Sequence, residues 1–516
     1  MALESCKTIS LEGVIAHIVD IEANIGTGLP GMHVVGRTDT AINESRQRIK
    51  TAIINSQLAW PKTKIVVSLS PASLPKSGAH FDLPLAVSIL LAGMKAQDEQ
   101  LAADGYATWG TESFAEKTTN TLFLGELGLD GSLRPVPGVL SAMVAAQKHA
   151  FDTLVIPPGN AGEARLMENT RVLIARNLRE VFEWLRGNRH LQTPEHLPLP
   201  PRSQTLDFAD IAGQHEAKRA IEVSAAGGHH LMMIGPPGSG KSMLAARIPS
   251  ILPKLTTMQS VESTAIHSIA GAMGEIIAHA PFISPHASLS RPALLGGGSG
   301  NPRPGAVSLA HNGVLFLDEA SEISPAVLDG LRAPLEDGEV RLARAQREIT
   351  YPARFQLVMA ANPCRCAVED PSQCICRPQV RQNYLRNISG PLRDRIDIAV
   401  ELTSQAAVLN TDDEEPSALI AQRVSAARDR AAFRWHSHGL DISHNAAVPS
   451  TYLRRHCAAE ESAMALMGAY LAEGQLSQRG VDRCLKLAWT LCDLEGEDIP
   501  NLDHIARALN LRGEGF

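Results

Sequence analysis

The sequence lacks the two features that would direct a chain to or across a membrane. Its N-terminus has no basic region followed by an apolar stretch, so no secretory signal peptide is expected. No apolar run approaches the ~20 residues that a membrane-spanning helix needs. These absences predict a cytoplasmic protein. Because thiols stay reduced in that compartment, the eight cysteines are expected to be free thiols or metal ligands rather than disulfides.

The chain also lacks an excess of positive charge. Its 48 Lys and Arg residues are outnumbered by 55 Asp and Glu residues, which gives a net charge of −7. A protein that is basic over its whole surface is thereby excluded, and any nucleic-acid site must be a local basic patch. No tandem repeat is visible. The length of 516 residues is enough for roughly three domains.

One stretch has the pattern of a phosphate-binding loop. Residues 235–242 read GPPGSGKS, follow the apolar run Leu231–Ile234 and precede a helix-compatible segment, Met243–Ile248, that Pro249 is expected to stop. Such a loop between a strand and a helix lets successive backbone N–H groups turn toward an anion. Lys241 would reach the β- and γ-phosphates, and Ser242 would ligate Mg²⁺. The predicted ATP-binding residues are Gly235, Pro236, Pro237, Gly238, Ser239, Gly240, Lys241 and Ser242.

Two later apolar runs end in polar residues suited to the same site. Val314–Leu317 predicts a buried strand of a parallel sheet, whose C-terminal end faces the nucleotide. There Asp318 is expected to hold Mg²⁺, and Glu319 to polarise the attacking water. The next apolar run ends at Asn362, whose amide would orient that water against the γ-phosphate.

These motifs resemble those of the magnesium-chelatase-like branch of the AAA+ ATPases, and more closely the ComM/YifB family of competence-related bacterial proteins. The resemblance is carried by GPPGSGKS (235–242), SLAHNGVLFLDE (308–319), AANPC (360–364), SGPLRDRIDI (389–398) and LSQRGVDRCLKLA (476–488). It extends over almost the whole chain. One departure precedes GGGSGNPRPG (296–305): the family usually has an Arg- and His-rich segment there, whereas residues 280–286 read APFISPH.

The resemblance implies roles for single residues. Asn362 resembles sensor 1, Arg395 the arginine finger inserted into a neighbouring subunit, and Arg479 the sensor-2 arginine of the helical lid. Arg393 is a weaker alternative for the finger. The resemblance also implies ATP and Mg²⁺ as cofactors, a homo-oligomeric ring that is expected to be a hexamer, and single-stranded or branched DNA as the partner.

The implied fold is α/β, with an AAA+ core that has a parallel sheet and a helical lid, preceded by a Lon-protease-like α/β domain. The predicted domains are residues 1–188 (Lon-like), 189–206 (proline-rich linker), 207–402 (ATPase core with a helix-2 insert, a pre-sensor-1 hairpin and a four-cysteine loop) and 403–516 (lid). Lon-like peptidases use a Ser–Lys dyad. Residues 79–82 contain no serine, and Leu140 stands where the lysine would fall, so this domain is predicted to be non-catalytic.

Four cysteines form a compact pattern after Asn362. Cys364 and Cys366 make one C-x-C, Cys374 and Cys376 a second, and seven residues separate the two pairs. Four thiolates could close a tetrahedral zinc site with no open coordination position, which predicts a structural metal. The spacing is tighter than the usual C-x₂₋₄-C, and four reduced thiols in a surface loop are the alternative.

A second predicted contact surface consists of three arginines spaced three residues apart. Arg341, Arg344 and Arg347 fall in the segment that resembles the pre-sensor-1 hairpin, which in related motors points into the central pore. Because arginine grips phosphates bidentately, these side chains are the predicted DNA contacts. The alternative is a solvated basic face, with DNA held instead near Arg291 and Arg303.

Three functions remain open at the level of sequence. The first is an ATP-hydrolysing DNA motor that promotes branch migration or unwinding during the integration of transforming DNA. The second is the ATPase subunit of a metal chelatase acting on a tetrapyrrole, and the third is an ATP-dependent protease. The missing dyad disfavours the third, and the large N-terminal domain, which the chelatase motor subunit lacks, disfavours the second.

Overall fold

The computed structural model describes residues 2–35, 40–104, 112–167, 169–194, 206–298, 302–344, 347–368, 373–403 and 414–513. The chain forms two compact units. The first consists of Met1–Pro200, Thr256–Ile277 and Ala343–Thr350, and the second of Pro201–Leu255, Ala278–Leu342 and Tyr351–Phe516. Most of the predicted linker at 189–206 lies outside the described residues, and the predicted domain boundaries stay predictions.

A seven-stranded mixed sheet organises the first unit. Its strands and the two-stranded ribbon beside it are β1 (Ala2–Glu12), β2 (Ile15–Gly26), β3 (Gly31–Val35), β4 (Lys64–Ser70), β5 (Thr121–Phe123), β6 (Glu126–Leu127), β7 (Leu133–Arg134), β8 (Thr153–Ile156) and β9 (Arg171–Ile174). The sheet order is β3-β4-β2-β1-β5-β8-β9. β1 pairs antiparallel with β2 and parallel with β5, and β8 and β9 continue the parallel half.

The helices of this unit are α1 (Thr40–Asn55), α2 (Asp82–Ala103), α3 (Glu112–Thr119), α4 (Val139–Lys148), α5 (Leu178–Leu185) and, from far along the chain, α8 (Thr257–Ala270). The first half of α2 is buried on nearly every side, which explains its continuous apolar sequence. With the turn before it, α2 is long and apolar enough to cross a membrane, but 72% of its most apolar window is buried within the protein. A core helix passes the same test, so this is weak evidence for a span.

Helix α8 belongs to the first unit although its sequence lies between two strands of the second. Its Val261 and Ala265 are buried in the same apolar cluster as Leu140, Met143 and Leu154. A capping box at Thr256 starts the helix, because the Thr256 side chain accepts from the Gln259 N–H and the Gln259 side chain accepts from the Thr256 N–H. The N-terminal core is therefore completed by a helix that lies beyond the Pro201–Leu255 stretch of the second unit in the sequence.

A five-stranded sheet organises the second unit. The strands that begin or end in this unit are β10 (Leu231–Ile234), β11 (Phe282–Ile283), β12 (Gly296–Gly297), β13 (Arg303–Pro304), β14 (Val314–Leu317), β15 (Glu339–Arg344), β16 (Arg347–Pro352), β17 (Gln356–Ala361) and β18 (Ile398–Glu401). The sheet order is β11-β14-β17-β10-β18, and every neighbouring pair is parallel. All the carboxyl ends therefore meet at one edge. β12 with β13 and β15 with β16 form separate two-stranded ribbons.

The central strands of this sheet are buried on both faces. In β10, Leu231 and Met233 join one apolar cluster, whereas Met232 and Ile234 join another on the opposite face. Alternate residues of a strand point to opposite faces, so a strand covered on both sides needs an unbroken apolar run. The structure thus confirms the α/β fold and parallel sheet that the sequence predicted.

Helices cover both faces of the sheet. They are α6 (His215–Gly227), α7 (Lys241–Ile251), α9 (Arg291–Leu295), α10 (Ala306–Leu309), α11 (Pro325–Leu328), α12 (Arg332–Asp337), α13 (Pro378–Leu385), α14 (Gly390–Arg393), α15 (Ser417–Ser437), α16 (Ser450–His456), α17 (Glu461–Ala472), α18 (Gln478–Glu495) and α19 (Leu502–Arg512). The last five lie in residues 403–516, the region predicted to be the helical lid. Trp435 of α15 and Leu485 of α18 share an apolar cluster with Leu231 of the sheet.

Candidate nucleotide-binding site

The phosphate loop joins the end of β10 to the start of α7. Gly238 and Gly240 have φ angles of 76° and 88°, a region that side chains other than glycine adopt at a cost. Gly235 has a different requirement, because a Cβ there would lie 2.8 Å from the carbonyl oxygen of Leu402. Each of the three glycines of the motif is therefore needed for the path of the loop toward the N-terminus of α7.

Lys241, the first residue of α7, folds back over this loop. Its Nζ donates to the carbonyl oxygens of Gly235 at 2.7 Å and Pro236 at 2.8 Å, and to Oδ1 of Asn362 at 3.1 Å. Burial lowers the pKa of Lys241, and Asp318 opposes that shift. The structure thus brings the predicted phosphate-binding lysine beside the predicted sensor asparagine, which follows the neighbouring strand β17.

Ser242 and Asp318 form the oxygen-rich part of the site. The Ser242 Oγ donates to Oδ2 of Asp318 at 2.5 Å, while the backbone N–H of Glu319 donates to the other oxygen, Oδ1, at 2.9 Å. A hydroxyl and a carboxylate are hard oxygen ligands of the kind that Mg²⁺ takes in phosphate-transfer sites. The residues present therefore fit the predicted Mg²⁺.

Glu319 is the second residue after β14 and has a left-handed backbone conformation, with φ 48° and ψ 41°. Residues other than glycine adopt this conformation at a cost and are concentrated at functional sites. Glu319 lines a cavity of about 460 Å³ together with Asn362, Arg365 and Tyr384. Sequence reasoning missed Arg365 and Tyr384: Arg365 is the unspecified residue of a C-x-C pair, and Tyr384 belongs to no recognised motif.

Arg395 and Arg479 line a different cavity, of about 340 Å³. His230 and Asp397 line it too, and these residues directly precede β10 and β18. The cavity therefore lies at the amino ends of the strands, whereas the phosphate loop begins at the carboxyl end of β10. The structure brings the two predicted arginines to each other and not to the phosphate loop of their own chain.

The Arg395 side chain is held in place within that cavity. Its Nη1 donates to the carbonyl oxygen of Pro391 at 2.5 Å, its Nη2 pairs with Glu336, and only 14% of the side chain is exposed. Its Nε is buried and has no hydrogen-bond partner, and the same holds for the Nε of Arg393. Arg393 does not line the cavity, and both arginines stay predictions for the finger.

A buried polar network holds the lid helix α18 against the amino ends of the strands. Nδ1 of His229 lies 3.3 Å from Oδ2 of Asp397, and its Nε2 lies 2.8 Å from Oγ1 of Thr490 in α18. From the same helix, Arg483 donates to the Ile396 carbonyl at 2.9 Å. Burial disfavours the charged form of Asp397, but His229 and Arg483 outweigh it and hold the pKa of this carboxyl well below its ordinary value. Sequence reasoning missed this network.

The four predicted zinc ligands converge. The Sγ atoms of Cys364, Cys366, Cys374 and Cys376 all lie within 4.8 Å of one another, and those of Cys366 and Cys374 are 3.3 Å apart. Four sulfurs around a zinc ion at about 2.3 Å each lie at comparable separations. The donor set therefore fits zinc.

The predicted DNA contacts lie on the ribbon of β15 and β16. Arg341 is 61% exposed and pairs with Glu339 at 2.6 Å. The backbones of Arg344 and Arg347 lie in β15 and β16, but their side chains lie outside what the structure describes. The alternative residues Arg291 and Arg303 are both exposed.

The N-terminal positions where a peptidase dyad would be expected lie in the protein core. The Asp82 carboxylate is fully buried, accepts from Nε and Nη2 of Arg48 at 2.5 and 3.0 Å, and accepts from the Leu127 N–H at 3.1 Å. Burial raises the pKa of Asp82, and Arg48 opposes the rise. Leu140 is also fully buried. These contacts hold Asp82 and Leu140 in the core of the first unit.

Comparison with known proteins covers the chain with three family models of magnesium chelatase subunit ChlI. "Subunit ChlI of Mg-chelatase" matches residues 21–160, "Magnesium chelatase, subunit ChlI" residues 207–409, and "Magnesium chelatase, subunit ChlI C-terminal" residues 414–512. The second match contains the phosphate loop, Asp318, Asn362 and Arg395, and the third contains Arg479.

Individual relatives extend this similarity over the full length. The chain is 39% identical to the uncharacterized protein YifB of Escherichia coli, covering 99% of this chain and 97% of that one. It is 38% identical to the competence protein ComM of Haemophilus influenzae, covering 97% and 95%. A shorter similarity to Lon protease 2 of Bacillus subtilis, 30% over 191 residues, covers 35% and 34% and agrees with the Lon-like N-terminal fold. The chain therefore belongs to the ComM/YifB family of magnesium-chelatase-like AAA+ proteins.

Proposed function

We propose that the protein hydrolyses ATP with Mg²⁺ at the carboxyl edge of the five-stranded sheet. The observation that carries this proposal is the convergence of Lys241, Ser242, Asp318 and Asn362 within hydrogen-bond distances. Lys241 binds the β- and γ-phosphates, and Ser242 with Asp318 holds Mg²⁺, which supplies neutralisation of phosphate charge. Glu319 accepts the proton of the attacking water, and Asn362 orients that water.

We infer that each ATP-binding site is completed by residues from a second copy of the chain. Arg395 and Arg479 share a cavity at the amino ends of the strands, away from their own phosphate loop. An arginine that serves hydrolysis from there must reach the site of a neighbour. Repetition of such a head-to-tail contact closes a ring, and we propose a hexamer.

We further propose that this ring is a cytoplasmic DNA motor for branch migration or unwinding during the integration of transforming DNA. The similarity to a competence protein supports a role in that process, and the arginine-bearing ribbon of β15 and β16 offers a cationic surface in a chain of net charge −7. The buried Asp82–Arg48 pair disfavours the protease alternative. The chelatase alternative instead predicts that a porphyrin with Mg²⁺ raises the ATPase rate.

The test is the ATPase rate of the purified protein with and without single-stranded and branched DNA. Unfolded protein and a porphyrin with Mg²⁺ serve as the other candidate substrates. We expect DNA alone to raise the rate. In the Arg344→Ala/Arg347→Ala variant, that stimulation should be lost while ATP binding and the ring persist.

The Arg344→Ala/Arg347→Ala variant should also bind DNA more weakly, to a similar extent for every DNA sequence. The slope of log affinity against log salt should flatten by about 0.7 for each single-strand phosphate contact that is lost. The matched control is Arg291→Ala/Arg303→Ala, which removes two exposed arginines elsewhere. If the control loses affinity and the first variant does not, the DNA site lies near Arg291 and Arg303.

We propose that the cysteine cluster holds a structural zinc ion. Metal analysis of the purified protein should find about one zinc per chain, as a closed four-thiolate site requires. The Cys364→Ser/Cys374→Ser variant should lose it, whereas Cys457→Ser, a buried cysteine outside the cluster, should retain it. A folded wild-type protein without metal would leave four reduced thiols as the correct interpretation.

A further inference from the structure

The cavity in front of Glu319 contains an arginine, Arg365, for which the ATPase proposal has no role. Glu319, Glu322, Asn362, Arg365 and Tyr384 contribute to its wall. Asn362 also contacts Lys241 at 3.1 Å, so this space opens beside the phosphate-binding lysine. Its position at the carboxyl edge of the sheet is where the terminal phosphate of a bound nucleotide points.

Arg365 lies at the tip of a tight turn. The turn is closed by a hydrogen bond of 3.2 Å from the Ala367 N–H to the Cys364 carbonyl. Cys364 and Cys366, the neighbours of Arg365 on both sides, belong to the four-cysteine cluster. Cys364 is 4% exposed, whereas Arg365 is exposed on the cavity side of the turn. A zinc ion bound by the cluster would therefore fix the backbone on both sides of this arginine.

The charges that line the cavity indicate that Arg365 binds an anionic ligand. Among the described residues that line the cavity, Arg365 carries the only permanent positive charge, while Glu319 and Glu322 carry carboxylates. Burial and the Glu322 carboxylate raise the pKa of Tyr384, so its hydroxyl stays neutral. A terminal phosphate placed here would face two carboxylates unless a cation on the same wall offset them. A guanidinium forms charge-assisted bonds to phosphate oxygens and keeps its charge at every physiological pH.

We propose that Arg365 binds the γ-phosphate of ATP held by its own chain, and that the four-cysteine cluster keeps Arg365 in position to do so. This inference rests on the proposed ATPase function. It makes Arg365 a sensor of the third phosphate, in addition to Asn362. Because ADP lacks the γ-phosphate, the contact exists only with ATP. The metal-binding loop thereby contributes to discrimination between the two nucleotides.

The experiment measures ATP and ADP affinities of the full-length protein by titration with fluorescent analogues of both. Arg365→Ala should weaken ATP binding by about 10- to 100-fold, the value of a charge-assisted hydrogen bond, and leave ADP binding unchanged. Arg365→Lys should restore part of the loss. The matched control is Arg377→Ala, since Arg377 is an exposed arginine beside Cys376 that does not line the cavity.

The cluster is tested with Cys366→Ser/Cys376→Ser, in which Arg365 is intact. We expect the same loss of ATP affinity with ADP affinity retained, and the retained ADP affinity shows that the phosphate loop is folded. Equal loss of ATP and ADP affinity in Arg365→Ala, or no loss relative to Arg377→Ala, would overturn the role of Arg365. An unchanged preference for ATP in the cysteine variant would overturn the role of the cluster.

These outcomes differ from failure of the ATPase proposal itself. If the wild-type protein neither binds nor hydrolyses ATP, the proposed function fails and Arg365 has no phosphate to bind. If the wild type hydrolyses ATP and Arg365→Ala behaves like Arg377→Ala, the ATPase stands and the inference about Arg365 alone is wrong.

Discussion

Replacing Glu319 with glutamine should leave ATP bound but lower its turnover by about 10²–10⁴-fold, the usual contribution of a general base. The amide keeps the shape of the side chain and removes its ability to accept a proton. Lys241→Ala should act differently and abolish nucleotide binding, because Lys241 is the buried cation of the phosphate loop. The two variants thus separate binding from chemistry.

The measurement is single-turnover hydrolysis together with the amount of ATP retained after gel filtration. Glu473→Gln, an exposed carboxylate at the end of α17, is the matched control and should behave like the wild type. Normal turnover in purified Glu319→Gln would show that another residue activates the water. That outcome would leave the left-handed conformation of Glu319 without a functional explanation.

Arg395→Ala is expected to have the larger effect, a loss of about 10³–10⁵-fold in hydrolysis, as for other arginine fingers. The guanidinium would neutralise charge that develops on the γ-phosphate in the transition state. If Arg395 is the proposed finger, its position at the amino ends of the strands requires that the ATP it serves be held by a neighbouring subunit. The defect should therefore be complemented in trans.

Mixing Arg395→Ala with Lys241→Ala subunits provides that test. Neither parent hydrolyses ATP, but some interfaces in a mixed ring pair an intact Lys241 with an intact Arg395 of the next subunit. Activity above that of both parents is the expected result. Arg386→Ala mixed with Lys241→Ala controls for dilution, because Arg386 does not line the cavity. If mixed rings form and no mixture exceeds its parents, the shared-site proposal is wrong.

Much of the site was visible in the sequence because its signals are local. The phosphate loop, the acidic pair after Val314–Leu317 and Asn362 each follow an apolar strand directly, and the confirmed parallel sheet brings the strand ends together. The position of Arg395 relative to the phosphate loop was not visible. It depends on which end of each strand a residue occupies and on the neighbour order in the sheet, which no short motif encodes.

Two other features escaped sequence reasoning for a different reason. Arg365 lies between two cysteines whose spacing predicts a metal, and that pattern gives no indication of what the intervening side chain faces. The assignment of α8 to the N-terminal unit depends on Val261 and Ala265 finding partners such as Leu140 far away in the chain. The apolar positions of a helix predict that one face is buried, but they do not predict which part of the protein packs against that face.

The placement of α8 also determines how this protein can be divided. The core of the N-terminal unit is assembled from separate stretches of chain, one of which directly follows the helix of the phosphate loop. If the chain is cut in the predicted proline-rich linker, the N-terminal fragment lacks α8 and has a gap beside Leu140. In the C-terminal fragment, Val261 and Ala265 lose their apolar partners. A boundary drawn at one point of the chain therefore cannot separate the two units, because each is built from several stretches of sequence.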